Sequence, residues 1–232
     1  LVFRDVCELG RDLRALADAG LQGSVPRRGR VAILFDADSE WACESRTLPS
    51  ARLSHWHDAR DWYRALLDVA EPADMVPARA DWSDYDVVVA PSMVICDATM
   101  AARLTGFVRS GGTLVADYAS GLADASFRVG LGGYPGMLRD LLGVRGEEFN
   151  IVGAVEGMPA EVRLSNGATS RLWQTVLPVS GLSRQTSVLA TYEGNAAAAW
   201  GLDGMPAVTR HRVGAGLAYY VCCDMDRADI AD

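Results

Sequence analysis

DVVVAPSMVICDATMAARLTGFVRSGGTLVA, residues 86–116, reads as strand, helix, strand. Asp86–Ala90 is apolar without alternation, as a strand covered on both faces must be. Ala98–Val108 has helical periodicity and is closed by Gly111 and Gly112, and Thr113–Ala116 is then a second unbroken apolar run. The same grammar holds upstream. Val31–Phe35 is an apolar strand ending in Asp36, Leu53–Ala70 is a helix, and Met75–Val76 is a short strand capped by Pro77. Downstream, a glycine-rich loop leads to a helix at about Pro135–Leu142, ended by Gly143. Strands alternating with helices imply an α/β fold with a doubly wound, mostly parallel sheet of the flavodoxin-like kind.

Beyond about residue 150 the pattern changes. Glu161–Leu164, Val188–Tyr192, Pro206–Arg212 and Leu217–Cys222 read as strands, the last two joined at Gly214–Gly216. They are expected to extend or cap the sheet edge in antiparallel fashion. At the other end, Val2, Val6, Leu9, Leu13 and Leu16 form one stripe of an amphipathic helix over residues 2–18. Gly23 to Gly29, with Pro26, reads as a linker. The helix 53–70 carries two apolar stripes: Trp56, Ala59, Tyr63, Leu66 and Ala70 on one side, Trp62, Ala65 and Val69 on another. A surface helix needs one, so Trp62, Ala65 and Val69 face either another part of this chain or a neighbouring subunit.

The composition narrows the function classes. The chain has 232 residues, net charge −8, and its 22 basic residues are all Arg. An acidic surface with scattered arginines repels a phosphate backbone, so nucleic acid is excluded as a partner. No apolar run approaches the roughly 18–20 residues that span a bilayer. A (β/α)8 barrel needs about 250 residues by itself. The five cysteines (Cys7, Cys43, Cys96, Cys222, Cys223) show no CxxC and read as free thiols in a reducing compartment.

Candidate chemistry is sparse. A glycosidase needs two facing carboxylates, and Asp36 with Asp38 lies past the end of the first strand, where open α/β sheets bind ligands. A turn or helix-cap role is the commoner fate of such a residue, and two carboxylates without a third ligand do not make a metal site. Glu147 and Glu148 are adjacent on a strand and point to opposite faces. A Cys hydrolase would need its Cys at a strand-to-helix turn, and Cys96 is the one candidate; an inert buried thiol is the simpler reading. His55 and His57 diverge on their helix, and His211 sits between two arginines. The cluster Gly130-Leu131-Gly132-Gly133-Tyr134-Pro135-Gly136 lacks the spacing and the following Lys of a phosphate cradle. No catalytic residue, cofactor or metal emerges.

Several stretches nevertheless resemble a known domain. GGTLVADYASG (111–121), RVGLGGYPGMLRDLLGVRGEEF (128–149), VVVAPS (87–92), PAVTRHRVGAGLAYYV (206–221) and VAILFDADSEWA (31–42) resemble, in order, the trimerisation domain of glycoside hydrolase family 42 β-galactosidases. The resemblance implies a flavodoxin-like, class I glutamine amidotransferase-like sheet with added antiparallel edge strands. It also implies a homotrimer acting on terminal β-D-galactosides in the cytoplasm, through a catalytic barrel absent from this chain. Residues 1–29 would be the helix and linker leaving that barrel, 30–226 the trimerisation domain, and 227–232 the start of a connection to a C-terminal β domain. The family's first loop resembles FDWESWWA; here Ala37 and Glu40 replace two of its tryptophans and Trp41 remains. Acidic residues are also usual where Ala125, Ser126 and Phe127 stand. Trp41 and Asp36 are thus the expected substrate-adjacent residues, and Trp62, Ala65 and Val69 the expected interface. The competing readings are a stand-alone Cys hydrolase using Cys96 and a sugar-binding module using Trp41.

Overall fold

Helix α1 (Val2–Leu16) leaves its whole apolar stripe in solvent: Val6, Leu9 and Leu13 are each more than half exposed. A computed structural model describes residues 2–25 and 28–231; of the readings above, Leu1, Pro26 and Asp232 lie outside the described residues.

Beyond the linker the chain winds a parallel sheet. Strand β1 (Val31–Phe35) leads through α2 (Ala37–Glu44) and α3 (His55–Asp68) to β2 (Ala73–Pro77). Then follow β3 (Val87–Ala90), α4 (Ala98–Arg109) and β4 (Thr113–Asp117). The following segment carries α5 (Arg139–Leu142), β5 (Glu148–Ile151), β6 (Val162–Leu164), β7 (Thr169–Ser170) and β8 (Trp173–Val176). The chain closes with β9 (Thr186–Glu193), α6 (Gly194–Ala199), β10 (Pro206–Val213), β11 (Gly216–Val221) and α7 (Arg227–Ala231).

Nine strands form one sheet in the order β2-β1-β3-β4-β11-β10-β9-β6-β7, and β5 pairs with β8 alongside it. The first five are mutually parallel, with Val31 beside Val87, Thr113 beside Val87 and Leu217 beside Thr113. The four strands beyond β11 are antiparallel, so β10, β9, β6 and β7 extend the edge as expected. Residues 217–222 do not: β11 is the fifth parallel strand, inside the sheet.

The apolar runs follow from the two-sided cover. Side chains alternate along a strand, so Ala32, Leu34, Val88, Ala90, Leu114 and Ala116 meet Leu104 and Val108 of α4 and Leu138 before α5. Val31, Ile33 and Val89 point the other way and meet Ala59 of α3. Three helices start on side-chain caps: Asp36 to Ser39 N in α2, Ser54 to His57 N in α3, and Asp97 to Met100 N in α4. The expected helix at 135–142 is a short 3-10 turn, Gly136–Leu138, running into the four residues of α5.

Leu114 lies in β4, an interior strand, fully buried between β3 and β11. Truncation to Ala removes methyl groups from a site with sheet on both sides and little room to collapse. Leu114→Ala is expected to lower unfolding free energy by about 2–5 kcal/mol in urea titration; a change within experimental error would mean that this strand is not at the core.

Candidate functional site

The sheet reverses its winding direction between β1 and β3, and at such a point open α/β sheets bind ligands beyond the carboxyl ends of the strands. Asp36 ends β1 there. Its carboxylate accepts from Ser39 N at 2.9 Å and Ser39 Oγ at 2.7 Å, so it caps α2. The segment 36–44, read as a loop, is helix because of that cap. Two of its other three carboxylates are also engaged: Asp38 pairs with Arg79 at 3.2 Å, and Glu40 accepts from Trp56 N at 2.7 Å. Trp41 projects from α2 and is 65 % exposed.

Beneath this rim the crevice is filled by polar side chains that sequence reading passed over. His55 is fully buried at the start of α3. Its Nε2 accepts from Asp36 N at 2.8 Å while its Nδ1 donates to Pro91 O at 2.6 Å, which joins the end of β1 to the end of β3. Burial first of all lowers its pKa, so the ring is held neutral, in the tautomer this pair of bonds needs. One turn on, Asp58 accepts from Tyr118 Oη at 2.8 Å and from Ser92 Oγ. Ser92 N donates in turn to Asp117, which also accepts from Trp62 Nε1 at 3.1 Å and Ser120 Oγ at 3.4 Å. Ser92 sits at φ 37°, a left-handed conformation that a non-glycine residue adopts only under constraint.

Two carboxyl groups are thus buried a few bonds apart. Burial raises both, Asp58 from 3.8 to about 7 and Asp117 well above its ordinary value, and Asp58 in turn repels charge on Asp117. The cavity between Asp58, Trp62, Asp117 and the C-terminal Met225 and Ile230 measures about 20 Å³, room for one water. Of the expected interface residues, Ala65 is fully buried and Trp62 lines this cavity under α7, whereas Val69 is 53 % exposed.

The strand-to-helix connection after β3 carries Ser92 in its first turn and Cys96 just before α4. Ser92 is fully buried with its hydroxyl committed to Asp58. Cys96 is buried too, and burial, then the Asp97 and Asp36 carboxylates, push its thiol up to about 12. His211 gives Nδ1 to Leu141 O at 2.9 Å, in the sheet and away from any thiol turn. Asp58 had one legible signal: it lies four residues before Trp62, on the buried face of its helix.

Two outcomes are expected. The Asp58 value in the folded state lies above the unfolded one, so its contribution is complete below the unfolded value of 3.8 and is lost as pH rises through about 7. Thermal stability should therefore fall across that window, and Asp58→Asn, neutral throughout, should flatten the fall; an unchanged profile would refute the assignment. In iodoacetamide at neutral pH the native protein should label at exposed Cys7 while Cys43, Cys96, Cys222 and Cys223 react only after unfolding. Rapid native labelling of Cys96 would restore the hydrolase reading.

The model of a family described as the beta-galactosidase trimerisation domain matches residues 29–232. Beta-galactosidase BbgII of Bifidobacterium bifidum is 38 % identical over 232 residues, 99 % of this chain and 33 % of that protein. A beta-galactosidase structure from Bacillus circulans sp. alkalophilus superposes with a TM-score of 0.82 at 31 % identity, over 99 % of this chain and 33 % of that one. One from Bifidobacterium adolescentis is 50 % identical with a TM-score of 0.54, over 88 % of this chain and 95 % of that one. The chain spans about a third of the length of the curated relatives it matches. By the extent of the family match and the order of its motifs, this chain belongs to the trimerisation-domain family of GH42 beta-galactosidases.

Proposed function

We propose that this chain is the assembly domain of a homotrimeric β-galactosidase that cleaves terminal β-D-galactosides with retention, the two catalytic glutamates lying on a barrel outside these residues. The observation that carries the proposal is how the strand ends are closed: His55 ties Asp36 N to Pro91 O, while Asp58, Ser92, Asp117 and Tyr118 bond to one another beside a cavity of about 20 Å³. The parallel order β2-β1-β3-β4-β11 supports the flavodoxin-like, amidotransferase-like reading of the sheet. Residues 1–29 serve as the helix and linker leaving the barrel, supported by the uncovered stripe of α1; 30–226 form the assembly domain, and 227–232 begin the connection to a β domain. Trp41 and Asp36 lie on the rim that adjoins substrate, with Trp41 the member free to reach it, and Val69 is the exposed member of the interface set. The unpaired thiols suit the cytoplasm, and among the described residues no helix is long and apolar enough to cross a membrane.

Light scattering on the full-length gene product should give a trimer that turns over a chromogenic β-galactoside, while the 232-residue chain alone gives no turnover. A monomeric full-length product, or hydrolysis by the isolated chain that is abolished by substituting one of its own carboxylates, would overturn the reading.

A further inference from the structure

Between β4 and α5 the loop 130–137 displays Leu131 at 94 % exposure, with Met137 and Val129 more than half exposed nearby. Loops that carry bare leucine are ordinarily slack, and this one is clamped. Tyr134 and Gly146 exchange both backbone hydrogen bonds, at 2.9 and 2.8 Å. Gly133 has φ 99° and a Cβ there would lie 2.5 Å from Gly146 O; Gly136 has φ 53° and a Cβ there would strike Gly121 O. Arg139 Nη1 donates to Leu131 O at 3.2 Å and holds the tip from below. The result is a preorganised apolar knob, which loses little freedom on being covered.

Charge selects what covers it. The Arg139 and Arg145 guanidiniums both come up beside Gly132, at 2.5 and 3.3 Å from where a Cβ there would lie. Among the described residues no carboxylate stands within 4.0 Å of either, although the chain carries 30 acidic residues and a net charge of −8. Two guanidiniums without a carboxylate partner beside a rigid leucine fit an acidic surface, and another copy of this chain, at net charge −8, is such a surface. A two-fold contact would set this basic knob against itself, with like charges facing. A head-to-tail contact sets it against a different, acidic patch and closes into a ring when the rotation allows.

We infer that the Leu131 knob, flanked by Arg139 and Arg145, is one half of a head-to-tail contact with a second copy of this protein. The inference rests on the assembly reading above and adds to it the surface used. The test is light scattering at micromolar concentration on the full-length gene product, wild type beside Leu131→Asp and the double variant Arg139→Glu, Arg145→Glu. Leu131 is almost wholly in solvent, so Leu131→Asp should keep the wild-type melting temperature and circular dichroism. The expected result is a trimer for the wild type and a shift to monomer, with at least a tenfold rise in dissociation constant, for both variants. A trimeric wild type whose variants remain fully trimeric overturns the knob and leaves the assembly reading standing. A monomeric wild type overturns both.

Discussion

Polar side chains at the carboxyl end of the sheet find their partners in one another and in the backbone of the loops there. His55 spans from the amide after β1 to the carbonyl after β3, and Asp58 and Asp117 take the donors of Ser92, Tyr118 and Trp62. Every one of these groups is costly to bury alone. Together they allow the loops after β1, β3 and β4 to close over the strand ends without leaving those groups unpaired. The left-handed turn at Ser92 is held because its amide and its hydroxyl both have acceptors waiting. Burial and mutual repulsion raise both acids, so uptake of a proton lets them stand in one site where two negative charges would repel.

The same arrangement turns the side chains after β3 and β4 inward. An elbow after a central strand can aim a nucleophile at a pocket. Here the elbow residue is Ser92, its hydroxyl is turned inward to Asp58, and α7 lies across the opening with Met225 and Ile230 at the cavity wall. Arg227 of α7 pairs with Asp68 at the end of α3, so the cover is tied to the helix it covers. Trp62, whose stripe was visible in the sequence, shares the cavity wall with Ile230 of α7, an element some 160 residues later in the chain.

What was legible in the sequence follows the range of the interaction. The parallel strands were legible because two-sided burial removes all polar residues from a run such as Val87–Ala90, a local signature. Helix α2 was not, because it is short and its buried residues are only Ser39, Ala42 and Cys43, too few for an apolar stripe; a single cap bond starts it. The place of β11 was not legible either. Nearly a hundred residues separate β4 from β11, and nothing local to Gly216–Val221 says that it pairs in parallel with Thr113–Asp117. The motifs of the family were legible as strings, while Asp58, Ser92 and Tyr118 became a group only once α3, the elbow and the end of β4 were brought together.

The segment between β4 and β11 is what makes the rim stiff. Just past β11, Asp224 accepts from Leu172 N at 2.8 Å, Trp173 N at 2.7 Å, Arg171 N at 2.9 Å and Ser170 Oγ at 2.8 Å. One carboxylate therefore draws the turn between β7 and β8 onto the end of the parallel sheet. Trp173, placed by that turn, stacks on Phe149 of β5 at 4.0 Å and leans on Tyr118 at 6.2 Å, next to the Asp58 bond. Phe149 in turn meets Tyr134 at the foot of the glycine loop, at 5.3 Å. The chain of contacts from Asp224 to Tyr134 carries the rigidity of the sheet out to the rim, where Trp41 and Leu131 stand in solvent. A surface that must meet another subunit in one fixed orientation needs support of this kind, because each degree of freedom left in it would have to be frozen on contact.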